Sequence, residues 1–402
     1  MNQPLFLHIV ERLEGFLGRL PDSIQKPVLH ELTPLKELFL KQRAPRFVLT
    51  GSHRLPVQEV VAALFSAAQP GDLRDVLMEV YRWQDTSVGD RGSVELLDAR
   101  GADSAAMGKI EEELERQSAD IFLHVIDGSS ARPVLTREIE ILAALANVHR
   151  APEAHPKIIG ISLVVPRRNA AEHNGSDSPE RVNALAKLQA ALVEKTNLRE
   201  HVLQLLEVEL APIGSTAPTE NPAAARLMSL LSRELPNEAR VEMIRISRDQ
   251  EAQVQIAQVL VKSTSAICTA VGAQPIPLAD LPILTTLQLV MVSGIMYIAG
   301  RERSLRAATE FVGALGVNVG AGMVLREGAR AVLKFFPGWG NVVCGMVAGA
   351  GTYALGRASI VYFLEGVTLK DARRTYLSSR KKKPRAQLLK RANVREETSH
   401  HG

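Results

Sequence analysis

Short apolar runs alternate with stretches of helical periodicity over the first part of the chain. The runs predict strands at Phe47–Thr50, Val76–Trp83, Val94–Asp98, Ile121–Asp127, Ile158–Val165 and Val202–Val208. Between them, apolar positions three and four residues apart predict helices at Val57–Ala67, Ala105–Gln117, Pro133–Val148, Ser178–Thr196 and Pro222–Leu235. Ser178, Pro179 and Glu180 give one of these a cap and a first turn. Ile158–Val165 is apolar at nearly every position, Ser162 excepted, rather than at alternate positions. A strand of that kind is covered on both faces. Such strands alternating with helices form a parallel sheet with helices on both sides. Ahead of them, residues 1–45 read as one or two amphipathic helices interrupted at Pro21, Pro27 and Pro34.

The texture changes after Asp249. Helical periodicity continues through Lys262, and then charge becomes sparse. Leu281–Gly300, Phe311–Leu325 and Phe335–Gly356 contain no Asp, Glu, Lys or Arg. The first of these is long enough to span a bilayer, and Gly345 with Gly349 make a small-xxx-small pair that lets helices approach closely. Thr285, Thr286, Gln288 and Ser293 dilute the first stretch, however, and the second is too short to span. A glycine-rich helical bundle, buried but water-soluble, satisfies the same pattern. The expected organisation is an N-terminal helical segment (1–45), an α/β domain (46–236), a helical domain (237–370) and a basic tail (371–402).

Charge separates the two halves. Residues 263–402 hold 18 Lys and Arg against 8 Asp and Glu, a net of +10. With 48 basic and 44 acidic residues in all, the rest has 30 and 36, a net of −6. An acidic soluble module joined to a basic one points to an anionic partner, membrane or nucleic acid. The run Arg380–Arg385 lacks interleaved aromatics and accompanies no nucleic-acid motif, which favours the membrane surface. The two cysteines, Cys268 and Cys344, lie far apart in apolar sequence and read as small buried hydrophobes. Glu11, Arg12 and Glu14 interrupt any N-terminal secretory signal.

Candidate chemistry gathers after two of the strands. Gly51-Ser52-His53-Arg54 follows the first and precedes a helix, the layout of a phosphate-binding loop. Asp98 closes the third and stands three residues before Gly101, giving an Asp-x-x-Gly motif. With the strand and helix that follow, residues 46–216 resemble an Era/TrmE-type GTPase domain. The resemblance implies a P-loop GTPase-like α/β fold. It also implies that Gly51, Ser52, His53, Arg54, Asp98, Gly101 and Asn169 are the nucleotide-binding positions, with Asp98 reaching magnesium through water.

The departures from that family are chemical. Pro56, Val57 and Gln58 stand where Gly, Lys and Ser or Thr belong. An amide donor, an ammonium and a metal-binding hydroxyl are thereby missing, and charge-assisted hydrogen bonds are worth about 1.5–3 kcal/mol each. Arg54 is either a replacement cation or a solvated loop arginine. Asn169, a neutral amide, stands where the base-reading Asn-Lys-x-Asp motif has a carboxylate. Ser215 is a faint trace of the last base-binding loop, Thr86 is the switch threonine candidate, and Ala102 replaces a water-orienting Gln. Residues 250–370 resemble the bacterial domain of unknown function that follows Era-like GTPases and occurs in YcjF-type membrane proteins. The expected function is a scaffold or regulatory module at the cytoplasmic side of a bacterial membrane, or in the cytoplasm. GTP and magnesium bind weakly or not at all on this reading, and the catalytic set is empty. An atypical GTPase with weak hydrolysis, or a ribosome- or nucleic-acid-linked module, are the alternatives.

Overall fold

The computed structural model describes residues 41–65, 81–88, 91–130, 132–148, 156–164, 179–210, 222–273, 280–315 and 340–379, with Lys26 and Leu29. Asn169, Ser215, Arg380–Arg385 and nearly all of the N-terminal helical segment lie outside these residues. The chain divides into two compact units. One is Arg43–Ser247, and the other joins Met1–Gln42 to Arg248–Gly402.

The first unit is α/β. Its strands are β1 (Arg46–Gly51), β2 (Trp83–Ser87), β3 (Ser93–Asp98), β4 (Ile121–Asp127), β5 (Ile158–Val164) and β6 (Val202–Glu209). They form one sheet in the order β2-β3-β1-β4-β5-β6. The sheet is mixed rather than parallel throughout. β2 runs antiparallel to β3, pairing Trp83 with Leu97 and Ser87 with Ser93. The connection from Ser87 to Ser93 is too short for the crossover that a parallel pair needs, and Val88 N–H closes it on Gly92 O at 2.8 Å. β2 therefore runs through Gln84, Asp85, Thr86 and Ser87, past the end of the strand expected at Val76–Trp83. Of the strand expected at Val76–Trp83, residues 76–80 lie outside the described residues.

Helices cover both faces, and the alternation of side chains decides which. Phe47 and Leu49 of β1, with Leu123 and Val125 of β4, face one core. Val48, Phe122 and Ile126 face the other. The first core is closed by Val60, Val61 and Leu64 of α1 (Val57–Leu64). The second receives Ile110 and Leu114 of α2 (Ser104–Arg116), Leu142 and Leu145 of α3 (Thr136–Val148), and Leu188 and Leu192 of α4 (Pro179–Glu194). The short α5 (Thr196–Arg199) leads into β6. Leu227 and Leu231 of α6 (Pro222–Glu234) return to the first core. Ala239, Met243 and Ile246 of α7 (Asn237–Ser247) join them, which carries this unit past residue 236. Each large side chain so buried contributes about 1.5–3 kcal/mol.

The second unit is helical: α8 (Gln250–Gly272), α9 (Asp280–Ile298), α10 (Leu305–Ala314), α11 (Gly340–Phe363) and α12 (residues 369–379). Asp249 caps α8 by accepting from Ala252 N–H at 3.1 Å. The small residues of α11 lie against α8. A Cβ added at Gly345 would stand 2.5 Å from Thr269 O, one at Gly349 would be 3.1 Å from Ser265 O, and Gly356 faces Val261. Gln288 of α9 donates to Thr352 Oγ1 of α11 at 2.9 Å. Met291, Val292 and Ile295 of α9 and Leu355 and Ile360 of α11 are buried. Among the described residues one helix, Gln250–Gly272, is long and apolar enough to cross a membrane, and 56% of its apolar window is buried. The Cys268 thiol on that helix is fully buried, which pushes its pKa up to about 12.

Candidate functional site

The parallel strands β1 and β4 and the edge-side β3 end together, and their C-terminal ends hold the residues singled out by sequence. Gly51 ends β1 with φ +97°, a conformation glycine tolerates and other residues avoid. Its Cα lies so close to β4 that an added Cβ would strike the Val125 carbonyl. Ser52 N–H donates to that same carbonyl at 2.8 Å. The chain is thus forced off the sheet into the loop before α1. Pro56 stands at the N-cap of α1, and no side chain caps the helix. Val57 packs its side chain against the first core, while Gln58 is exposed.

Asp98 ends β3, and Arg100 turns back onto it. Arg100 Nε donates to Asp98 Oδ1 at 2.8 Å and Nη2 to Oδ2 at 2.8 Å, a two-pronged fork. Arg100 N–H also reaches Oδ1, at 3.1 Å. The remaining Nη1 points into the loop after β1, donating to Leu55 O at 3.0 Å and Ser52 O at 3.4 Å. The Arg100 side chain is 4% exposed and that of Asp98 16%. Both carboxylate oxygens and two loop carbonyls are therefore held by a single buried guanidinium. Such charge-assisted forks are roughly twice as strong as neutral hydrogen bonds.

Gly101 follows with φ +69°, and a Cβ there would lie 3.1 Å from Cβ and Cγ of His53. The structure thus brings Gly51, Ser52, His53, Asp98 and Gly101 together. Arg54 turns elsewhere: it is exposed and donates to Ser130 Oγ at 3.1 Å. Its charge also acts on Glu138, whose carboxyl burial raises above the usual range. Thr86 is buried on β2 opposite Val94, four register positions from Asp98. At about 3.3 Å per residue it lies near the far end of the sheet. Ala102 is buried.

Two residues that sequence reading passed over belong to this region. Arg100 was hidden as one of the unspecified positions of Asp-x-x-Gly; a cation two residues after the aspartate is its one sequence signal. Tyr81 precedes β2 with φ +66°, an uncommon conformation for a bulky residue. Burial raises its phenol pKa, and the nearby charges of Asp103 and Asp98 add to the effect. Beneath the loop, His124 of β4 is fully buried, with Nδ1 3.0 Å from Thr50 Oγ1 and Nε2 unpartnered. Burial lowers its pKa to about 4.

The fold and this site define an α/β protein with a mixed six-stranded sheet and a loop that turns off β1 at Gly51, joined to a helical unit. No protein-family model matches the chain. It is 27% identical over 155 residues to magnetosome membrane protein 22 of Magnetospirillum gryphiswaldense, a match covering 36% of this chain and 77% of that protein. A solved structure of an oligomerised bacterial dynamin pair, described as a mechanism for long-range sensing and tethering of membranes, aligns over 98% of this chain and 78% of its own. The TM-score is 0.28 at 10% identity, too low to establish a shared fold.

Proposed function

We propose that this chain is a membrane-associated scaffold or regulatory protein whose α/β unit has a P-loop GTPase-like fold without a working nucleotide site. The order strand, loop, helix, strand, strand, helix and the position of Asp98-x-x-Gly101 after β3 support the fold assignment. The observation that carries the functional reading is the Arg100 fork. A magnesium nucleotide asks for a free carboxylate, a lysine and a hydroxyl around the phosphates. Asp98 has both oxygens bonded to Arg100, Val57 belongs to the core, and Gln58 lacks a hydroxyl. The residues present do not fit the group. The guanidinium supplies the positive charge that metal and lysine bring to a working site, so the loop is held without ligand.

Membrane association is supported by the name of the magnetosome relative and by the basic C-terminal part of the chain. The site of action is the cytoplasmic side of a bacterial membrane or the adjoining cytoplasm. Titration calorimetry of the full chain with GTP and with ATP, in magnesium, tests the nucleotide half. The expected affinity is no better than roughly high-micromolar, about −5 to −6 kcal/mol. Tight GTP binding abolished by Asp98→Ala overturns this reading in favour of an atypical GTPase.

A further inference from the structure

We propose that the exposed face of α12 is a docking surface for an anionic lipid bilayer. The inference rests on the membrane association proposed above and names the part of the chain that makes the contact. α12 buries Ala372 and Tyr376 on one side. Leu369, Lys370, Arg373, Arg374 and Leu377 are all exposed on the other. Residues three and four apart are neighbours on a helix surface, so these five form one stripe with a leucine towards each end. Leu377 is 49% exposed and Leu369 36%, which places both among the exposed large hydrophobics of the described residues. The apolar residues of α9 and α11 named above are instead buried within their unit.

Charge selects the partner. Arg374 pairs with Asp371 at 3.5 Å, and that pair is itself open to solvent. Among the described residues no ion pair holds Lys370 or Arg373. A short cationic stripe with leucines at its ends suits the headgroup boundary, where cations meet lipid phosphate and the leucines enter the acyl region. The stripe has no aromatic side chain to stack on bases, which disfavours single-stranded nucleic acid. The sequence continues basic at Arg380, Lys381, Lys382, Lys383 and Arg385, so charge of the same sign follows the stripe along the chain.

Co-sedimentation of the full chain with vesicles of phosphatidylcholine, alone and mixed with phosphatidylglycerol, tests the proposal. Two double variants are compared with the parent: Lys370→Gln with Arg373→Gln, and Leu369→Gln with Leu377→Gln. All four positions are exposed, and circular dichroism checks that both variants remain folded. The parent binds the mixed vesicles more tightly. The charge variant loses about fivefold per residue, roughly 25-fold together, and with it part of the salt sensitivity. The leucine variant loses about tenfold or more and keeps its salt sensitivity. If the parent binds neither vesicle, the membrane reading itself fails. Anionic vesicle binding that both variants retain in full overturns the role of α12 while leaving membrane association standing. Binding to a duplex oligonucleotide, weakened by the charge variant and without vesicle binding, replaces the bilayer with nucleic acid.

Discussion

Glycine serves opposite ends in the two units. At the end of β1 and after β3, Gly51 and Gly101 adopt positive φ and shape a loop that other residues would strain. In α11, Gly345, Gly349 and Gly356 have ordinary helical backbone, and what matters is the missing Cβ that lets α8 approach. The first use fixes a backbone path whatever side chains line it. A loop can therefore keep its course with Pro56, Val57 and Gln58 along it and Arg100 turned onto its carbonyls. In the second, the glycine is itself the packing surface, and geometry cannot persist without it.

The largest expected effect lies in the first region. Arg100→Ala strands Asp98 half-buried and releases the carbonyls of Ser52 and Leu55. Removing one partner of a buried pair costs about 3–5 kcal/mol, and the residual exposure of Asp98 places this near 3. Urea denaturation measures it. Adding Asp98→Asn to Arg100→Ala recovers a large part, because the uncompensated charge is gone. Equal losses in the single and double variants would mean that the stranded charge of Asp98 is not what makes Arg100→Ala costly.

Much of this was legible in the sequence, and the exceptions are physical. Strands β1, β4 and β5 announced themselves because burial on both faces demands nearly uninterrupted apolar residues, while β3 and β6 kept enough apolar positions around Glu95, Gln204 and Glu207 to be read. β2 did not: Trp83–Ser87 is an edge strand with polar Gln84, Asp85 and Ser87, so its pattern resembles a turn. The loop was found through Gly51 and Asp98, whose positions at strand ends are encoded locally. The fork on Asp98 was not, because a charged residue within a motif gives no sign of whether it turns inward. The spanning question also had no answer in composition alone. Uncharged sequence arises equally from lipid and from a bundle core, and close helix contacts such as Gly345 with Thr269 belong to both.

Next in size is an acid effect beneath the loop. His124 has a folded-state pKa of about 4 against an ordinary 6.5, through burial. As pH falls, the unfolded chain takes up the proton first. Stability is therefore full above pH 6.5 and declines between 6.5 and 4, by about 3 kcal/mol when complete. Thermal melts across that window should show the decline, and His124→Gln should flatten it. An equally steep decline in the variant would place the titrating group elsewhere. Gly345→Ala comes next, at about 2 kcal/mol, because the methyl meets Thr269 O and the Ala273 methyl within 2.8 Å. An unchanged melting temperature would mean that α8 and α11 do not pack closely at that point.

The smallest effect reverses sign. Not every helical glycine touches something. A Cβ at Gly351 in α11, or at Gly108 in α2, meets nothing within 4 Å, and neither residue has a positive φ. Gly351 is two residues from Gly349, which at 3.6 residues per turn puts it across the helix from the α8 contact. Both positions tax helix stability without a packing return, since glycine leaves the unfolded chain more freedom than alanine does. Gly108→Ala and Gly351→Ala should each raise stability by about 0.5–1 kcal/mol, read from denaturation midpoints beside that of Gly345→Ala. The contrast within α11 is the sharper test, because helix propensity is the same at 345 and 351 and only the neighbour differs. If Gly351→Ala also destabilises, the far side of α11 is covered as closely as the near side. The distinction between glycines that pack and glycines that merely loosen a helix would then fail for this unit, while Gly108→Ala would still test it in the α/β unit.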